Sequence, residues 1–158
     1  MTQYHIHGER SDLKDAALDL FVGRCIGTGY SRHVYELLGQ PDRVMKLEHG
    51  NRHFSNIVEW KVWQAVQATP HAKWFAPCYS ISFTGTALVQ ARTIPLTNEE
   101  FEHMTEVPEF LSDIHRANFG HFEGRIVCHD YGRNNLMMLG MNAATMVSAS
   151  LYSPDNGG

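Results

Sequence analysis

Apolar positions along the chain alternate with polar ones in short runs, and the spacing turns helical in only a few places. Ser11 stands where it caps a short helix with Leu13, Ala17, Leu20 and Phe21 on one side. Phe21 to Ile26 reads as a strand running into Gly27-Thr28-Gly29, and His33 to Leu38 as the strand that returns. Gly39-Gln40-Pro41-Asp42 makes a turn, because proline presets φ and glycine relaxes it. From Arg43 to Glu48 the residues alternate, so Val44, Lys46 and Glu48 share one face while Met45 and Leu47 share the other.

Phe54 to Gln67 is the clearest helix: Phe54, Val58, Val62, Ala65 and Val66 recur at helical intervals, and Pro70 stops it. Cys78 to Phe83, Thr84-Gly85 and Thr86 to Arg92 predict a β-hairpin. Pro108, Phe110, Leu111 and Ile114 predict a second helix, beginning near Val107 and ending before Gly120. Ile126 to Cys128 is a short strand, and Leu136 to Leu139 with Met146 to Ser150 form a further hairpin across Gly140-Met141-Asn142. Antiparallel strands with helices set to one side define an α+β chain, and no repeat or linker divides its 158 residues.

Composition narrows the function. Apolar residues make up 43% and charged residues 19%, enough to bury a core. Acidic side chains outnumber basic ones 17 to 13, and the formal charge of −4 disfavours bulk nucleic-acid binding, which needs clustered Lys and Arg to replace phosphate counterions. Cys25, Cys78 and Cys128 cannot all pair and form no C-x-x-C, which fits a reducing compartment. The polar N-terminus shows no signal pattern and no apolar run is long enough for a membrane span, so a cytoplasmic setting is expected. His5-x-His7 has no partner ligands at zinc spacing and reads as a solvated stretch.

Three local features carry candidate chemistry. In Gly27-Thr28-Gly29-Tyr30-Ser31-Arg32-His33-Val34, paired glycines let backbone N–H groups approach phosphate oxygens; a plain hairpin turn is the alternative. Lys46 sits in an otherwise apolar strand, and a half-buried ammonium needs a carboxylate, which Glu59 on the next helix can supply. A structural ion pair satisfies the same pattern. In Val127-Cys128-His129-Asp130-Tyr131-Gly132-Arg133-Asn134-Asn135-Leu136, Asp130 and Asn135 lie five positions apart (135 − 130) and can line one loop. Asp130 suits the orientation of a hydroxyl proton and Asn135 an oxygen-preferring cation such as Mg²⁺, unless the loop is simply a turn held by its own side chains.

In this order the three features resemble those of the protein kinase-like superfamily. Gly27, Gly29 and Val34 match G-x-G-x-x-G-x-V, with Arg32 at the third glycine. Arg43-Val44-Met45-Lys46 looks like the strand bearing the phosphate-pairing lysine, Glu59 like its helix partner, and Asp130 and Asn135 like the catalytic-loop pair. The resemblance runs from about Phe21 to Ser150. It implies one domain over residues 1–158: a small lobe at about 1–94, a five-stranded antiparallel sheet with one main helix and an N-terminal helix, then a reduced large lobe at 95–158. Gln90 to Pro95 would be the hinge and Phe110 to Asn118 the helix before the catalytic loop. Gly27, Gly29, Val34 and Lys46 would bind ATP, Asn135 would hold Mg²⁺, and Asp130, Lys46, Glu59 and Asn135 would be catalytic.

Several positions depart from that pattern. Cys128 and His129 replace the His and Arg of H-R-D, Gly132 stands where a phosphate-contacting Lys is usual, and Arg133 is the substitute within reach. Near Ser148 and Ala149 no acid matches the metal-binding Asp of D-F-G, which leaves Asp155 as the other candidate metal ligand. The chain also stops where the activation segment would start, so a helix bearing Phe110, Leu111 and Ile114 would lack cover. That predicts a homodimer or a protein complex over this face. Kinase-like domains of this size resemble those of bacteriophages and bacterial effectors. The resemblance implies a phosphotransferase moving the γ-phosphate of ATP to a protein Ser or Thr hydroxyl, or a pseudokinase that binds or inhibits a partner protein.

Overall fold

The structure, a computed structural model, describes residues 18–49, 54–135 and 145–149. The first half builds an antiparallel sheet from β1 (Val22–Thr28), β2 (Arg32–Leu37), β3 (Arg43–Glu48), β4 (Cys78–Ile81) and β5 (Ala87–Ala91). Its five strands, each expected from the sequence, run in the order β1-β2-β3-β5-β4, with β3 in the middle. Register follows the pleat: Val34 lies opposite Lys46 and Lys46 opposite Leu88, so the faces chosen by β3 propagate to both neighbours. Gly39 closes the β2–β3 turn at φ 75°, in the left-handed region that glycine enters without a Cβ clash.

The main helix, α1 (Ser55–Val66), crosses behind this sheet. Its inward face is polar at one end and apolar at the other: Asn56 and Glu59 are buried, then Val62 and Val66. No side chain of the residue before it caps its start. Instead the Glu48 carboxylate, at the end of β3, accepts from the Asn56 N–H at 2.7 Å and supplies the negative charge favoured there. The helix gives way at Pro70 to a 3₁₀ turn, Pro70–Trp74, entered through Thr69, whose hydroxyl accepts from the His71 N–H.

From β5 the chain passes directly into the second half. β6 (Ile94–Pro95) joins β8 (Phe119–Phe122) and β9 (Arg125–Cys128) in a three-stranded sheet ordered β6-β8-β9. Between them lie α2 (Asn98–Glu102), closed by a reciprocal cap between Thr97 and Glu100, and β7 (Glu106–Pro108), which pairs with β10 (Met146–Ser148). Gly120 allows this arrangement, because a Cβ there would stand 2.6 Å from Thr93 Oγ1 and 2.8 Å from the Ile94 carbonyl.

Three expectations change. No helix forms between Val107 and Gly120, apart from a 3₁₀ turn at Arg116–Asn118. The spacing of Val107, Phe110, Leu111 and Ile114 imitates a helix, yet the backbone finds distant partners: the Glu109 N–H donates to Thr145 O and the Asn135 N–H to Phe110 O. Met146–Ser148 is a strand, but its partner is β7; Leu136–Leu139 and Gly140-Met141-Asn142 lie outside the described residues. Phe110, Leu111 and Ile114 are 0%, 2% and 3% exposed, so they leave no apolar face uncovered, and the expectation of a homodimer or a protein complex over this face loses its basis. Of the N-terminal helix, Ser11, Leu13 and Ala17 are also outside the described residues, and Leu20 and Phe21 are exposed.

One apolar core joins the two halves. Phe75 packs edge-on to Tyr131 at 4.9 Å between ring centres and stacks with Phe110 at 5.6 Å, between α1's Val62 and Val66 and the residues of β8 and β9. The Ala76 N–H donates to Cys128 O, and the Tyr131 hydroxyl to Ala76 O. These contacts fix the loop after β9 against the large sheet. Among the described residues no helix is long and apolar enough to cross a membrane.

Candidate functional site

A cleft of about 500 Å³ opens where the large sheet meets the second half. The β1–β2 hairpin contributes Gly27, Thr28, Gly29, Arg32 and Val34, and β3 contributes Val44 and Lys46. The chain leaving β5 forms the back, from Gln90 to Thr93, and the loop after β9 brings His129 and Asp130 to the far wall. Gly27, Gly29, Val34, Lys46 and Asp130 therefore share one cavity, though they come from three separate stretches of chain.

Lys46 and Glu59 pair as their sequence positions suggest. The Lys46 ammonium donates to Glu59 Oε2 at 2.9 Å and also to the His129 carbonyl, with Lys46 only 3% exposed and Glu59 fully buried. Glu59 Oε1 also accepts the Tyr131 N–H at 2.9 Å. This carboxylate thus ties β3, α1 and the loop after β9 to one point.

Arg32 is the largest addition to the site. At the third-glycine position of the resemblance it was a gap in a motif; in the fold it is 4% exposed and spans the cleft floor. Its Nη2 donates to Glu59 Oε1 and, at 2.6 Å, to Asp130 Oδ1, while Nη1 donates to Asn56 Oδ1 at 3.1 Å. Asn56 is held in turn by the Lys46 and Thr86 carbonyls. Burial alone lowers the Arg32 pKa, but the Glu59 and Asp130 carboxylates outweigh it and raise the value, so the guanidinium stays charged. Strand alternation does carry a signal for this residue: Arg32 is two positions from Val34, which faces the cleft, and so points the same way.

The same ion pair changes Asp130. Burial pushes its carboxyl up, while Lys46 and then Arg32 pull it down further, leaving it below the ordinary carboxylate range. Its side chain remains half-exposed, at 49%, and an ionised acid in this setting is a weak proton acceptor. Next to it, His129 Nε2–H donates to Ala117 O and Nδ1 accepts from the Thr93 hydroxyl, both at 2.8 Å. Burial, then Lys46, lowers its pKa to about 4, so it adds no charge to the cleft at neutral pH. Gly132 has a steric cause: a Cβ there would lie 3.1 Å from the Ser55 Cβ at the start of α1, so a longer side chain needs backbone movement.

Other site residues are not brought in. Asn135 is held by its backbone to Phe110 O and does not line the cleft. Arg133 is exposed and also stays out of it. Ala149 is buried in the apolar core, and Asp155 lies outside the described residues. A divalent cation needs several oxygen ligands. The one carboxylate lining the cleft is already on Arg32, and among the described residues no cluster of three or more His, Cys, Asp or Glu side chains is arranged to hold a metal. The described residues by themselves do not make a Mg²⁺ site. Gly29 also differs from a free phosphate cradle, because its N–H donates to Arg32 O within the hairpin.

Gln90, opposite Val44 on β5, is the second residue sequence reasoning passed over as a ligand. It is fully buried, its Nε2 donates to Cys78 Sγ at 3.7 Å, and its Oε1 has no partner among the described residues. Compared with known proteins, the chain matches no family model and no curated sequence.

Proposed function

We propose that this chain is a kinase-like nucleotide-binding domain that holds ATP in the cleft and acts as a binding module for a target protein. One observation carries the reading: Lys46, oriented by Glu59, faces the same cavity as Asp130 and the Gly27–Gly29 hairpin. The cavity's size suits a small molecule, and its cationic floor suits a polyphosphate. Binding is favoured over transfer because Arg32 occupies Asp130 and the metal-ligand positions are not gathered at the cleft. Three free cysteines, Cys25 among them exposed, support a reducing, cytoplasmic setting.

Transfer of phosphate to a protein Ser or Thr hydroxyl is the second reading, favoured by the presence of Asp130 in the cleft with Lys46. Two measurements separate them. Adding ATP raises the melting temperature of the wild-type protein by mass action, and Lys46→Ala weakens ATP binding by about tenfold to a hundredfold, as loss of a charge-assisted phosphate contact requires. With labelled ATP and Mg²⁺, the binding reading gives no labelled protein. Labelling that vanishes in Asp130→Asn would establish transfer instead, and no response to ATP would end both readings.

A further inference from the structure

We infer that Arg32 takes the place of the divalent cation, so that the cleft binds a nucleoside triphosphate free of metal. This rests on the nucleotide-binding reading and goes beyond it by naming the form of ligand. Arg32, Lys46, Arg92 and Arg116 line the cleft against one carboxylate, Asp130, while His129 is neutral at neutral pH. Glu59, which pairs with both Lys46 and Arg32, and Glu36, which pairs with Arg92, stand behind the lining, so the surface that a ligand meets still carries more cations than carboxylates. A metal-free triphosphate carries more negative charge than its Mg²⁺ complex and therefore gains more from this surface.

Geometry supports the same conclusion. A guanidinium carries five N–H donors; Asn56, Glu59 and Asp130 engage three contacts on Arg32, which leaves donors for a phosphate oxygen. The fork is held by three partners from α1 and the loop after β9, so a ligand meets a cation already in place, and little side-chain freedom is lost on binding. The cation also holds one oxygen, Oδ1, of the carboxylate that lines the cleft. With Asn135 out of the cleft and Ala149 in the core, Asp130 is the one carboxylate that the described residues bring to the cleft, and Arg32 already holds its Oδ1, whereas a divalent cation needs several oxygen ligands.

The deciding experiment is calorimetric titration of the wild-type protein with ATP, once in EDTA and once in excess Mg²⁺. Binding in EDTA at least as tight as in Mg²⁺ is the expected result. Binding that appears only with Mg²⁺ overturns the inference and leaves the nucleotide reading standing; no binding in either buffer overturns both. Arg32→Gln, checked for folding by circular dichroism, should lose about tenfold or more in the EDTA titration. Unchanged EDTA affinity in a folded Arg32→Gln protein also overturns the inference, and if that variant does not fold, the wild-type comparison decides alone.

Discussion

His129 bonds through both ring nitrogens, giving a proton to Ala117 O and taking one from Thr93, so its surroundings are complete only for the neutral ring. Its folded pKa, about 4, lies below the ordinary value of 6.5. Between those values the unfolded chain binds the extra proton, and stability rises with pH. Stability measured by urea titration should therefore be fully present above about pH 6.5 and fall as the pH drops toward 4. His129→Asn should flatten that limb, and an unchanged slope would show that the ring is not held neutral. At this scale the sequence was legible where a residue contradicted its own surroundings. Lys46 in an apolar strand demanded a carboxylate, and Glu59 supplied it. Arg32 was not legible in the same way, because its partners lie 27 and 98 residues away.

The elements that came through best are those with one face buried and short-range partners. Each strand of the large sheet pairs with neighbours brought beside it by tight turns or by the α1 crossover, so alternation alone sets its faces. The segment from Val107 to Asn118 shows the limit of that logic. Its apolar residues all reach the core, as a helix would have arranged, but extended chain paired to β10 and bridged at Leu111 to Asn134 buries them too. Gly120 belongs to this scale. Gly120→Ala pushes a Cβ into Thr93 and the Ile94 carbonyl, where backbone cannot yield cheaply. It should cost about 1–3 kcal/mol in urea unfolding, the usual size of an overpacking penalty, and a loss under ~0.5 kcal/mol would show that β6 shifts freely.

Across the whole molecule, the buried charges at Glu59 do what a hydrophobic contact cannot: they fix β2, β3, α1 and the loop after β9 relative to one another with directional bonds. Glu59→Gln keeps the shape but leaves Lys46 and Arg32 short of a counter-charge in the interior. Breaking a buried ion pair on one side costs about 3–5 kcal/mol, and urea unfolding of this variant should show a loss of that size. A change under ~1 kcal/mol would mean that the two cations reach water without it. The same dependence on distant groups explains why Asn135 could not be judged from its spacing to Asp130. A separation of five residues permits a shared loop, but Asn135 is bonded through its backbone N–H to Phe110 and is not part of the cleft lining.

From the order of residues alone came the α+β class, the five strands and their faces, the main helix, and the need of Lys46 for a buried acid. All of these depend on side-chain periods and on the cost of an unpaired charge, which are properties of short stretches of chain. Only the folded chain decided that Arg32 would bridge Glu59 and Asp130, that Gln90 would be buried beside the cleft, and that residues 107–115 would form no helix. Those outcomes depend on which distant groups arrive within about 3 Å of each other, and hydrogen bonds and ion pairs act only at that range.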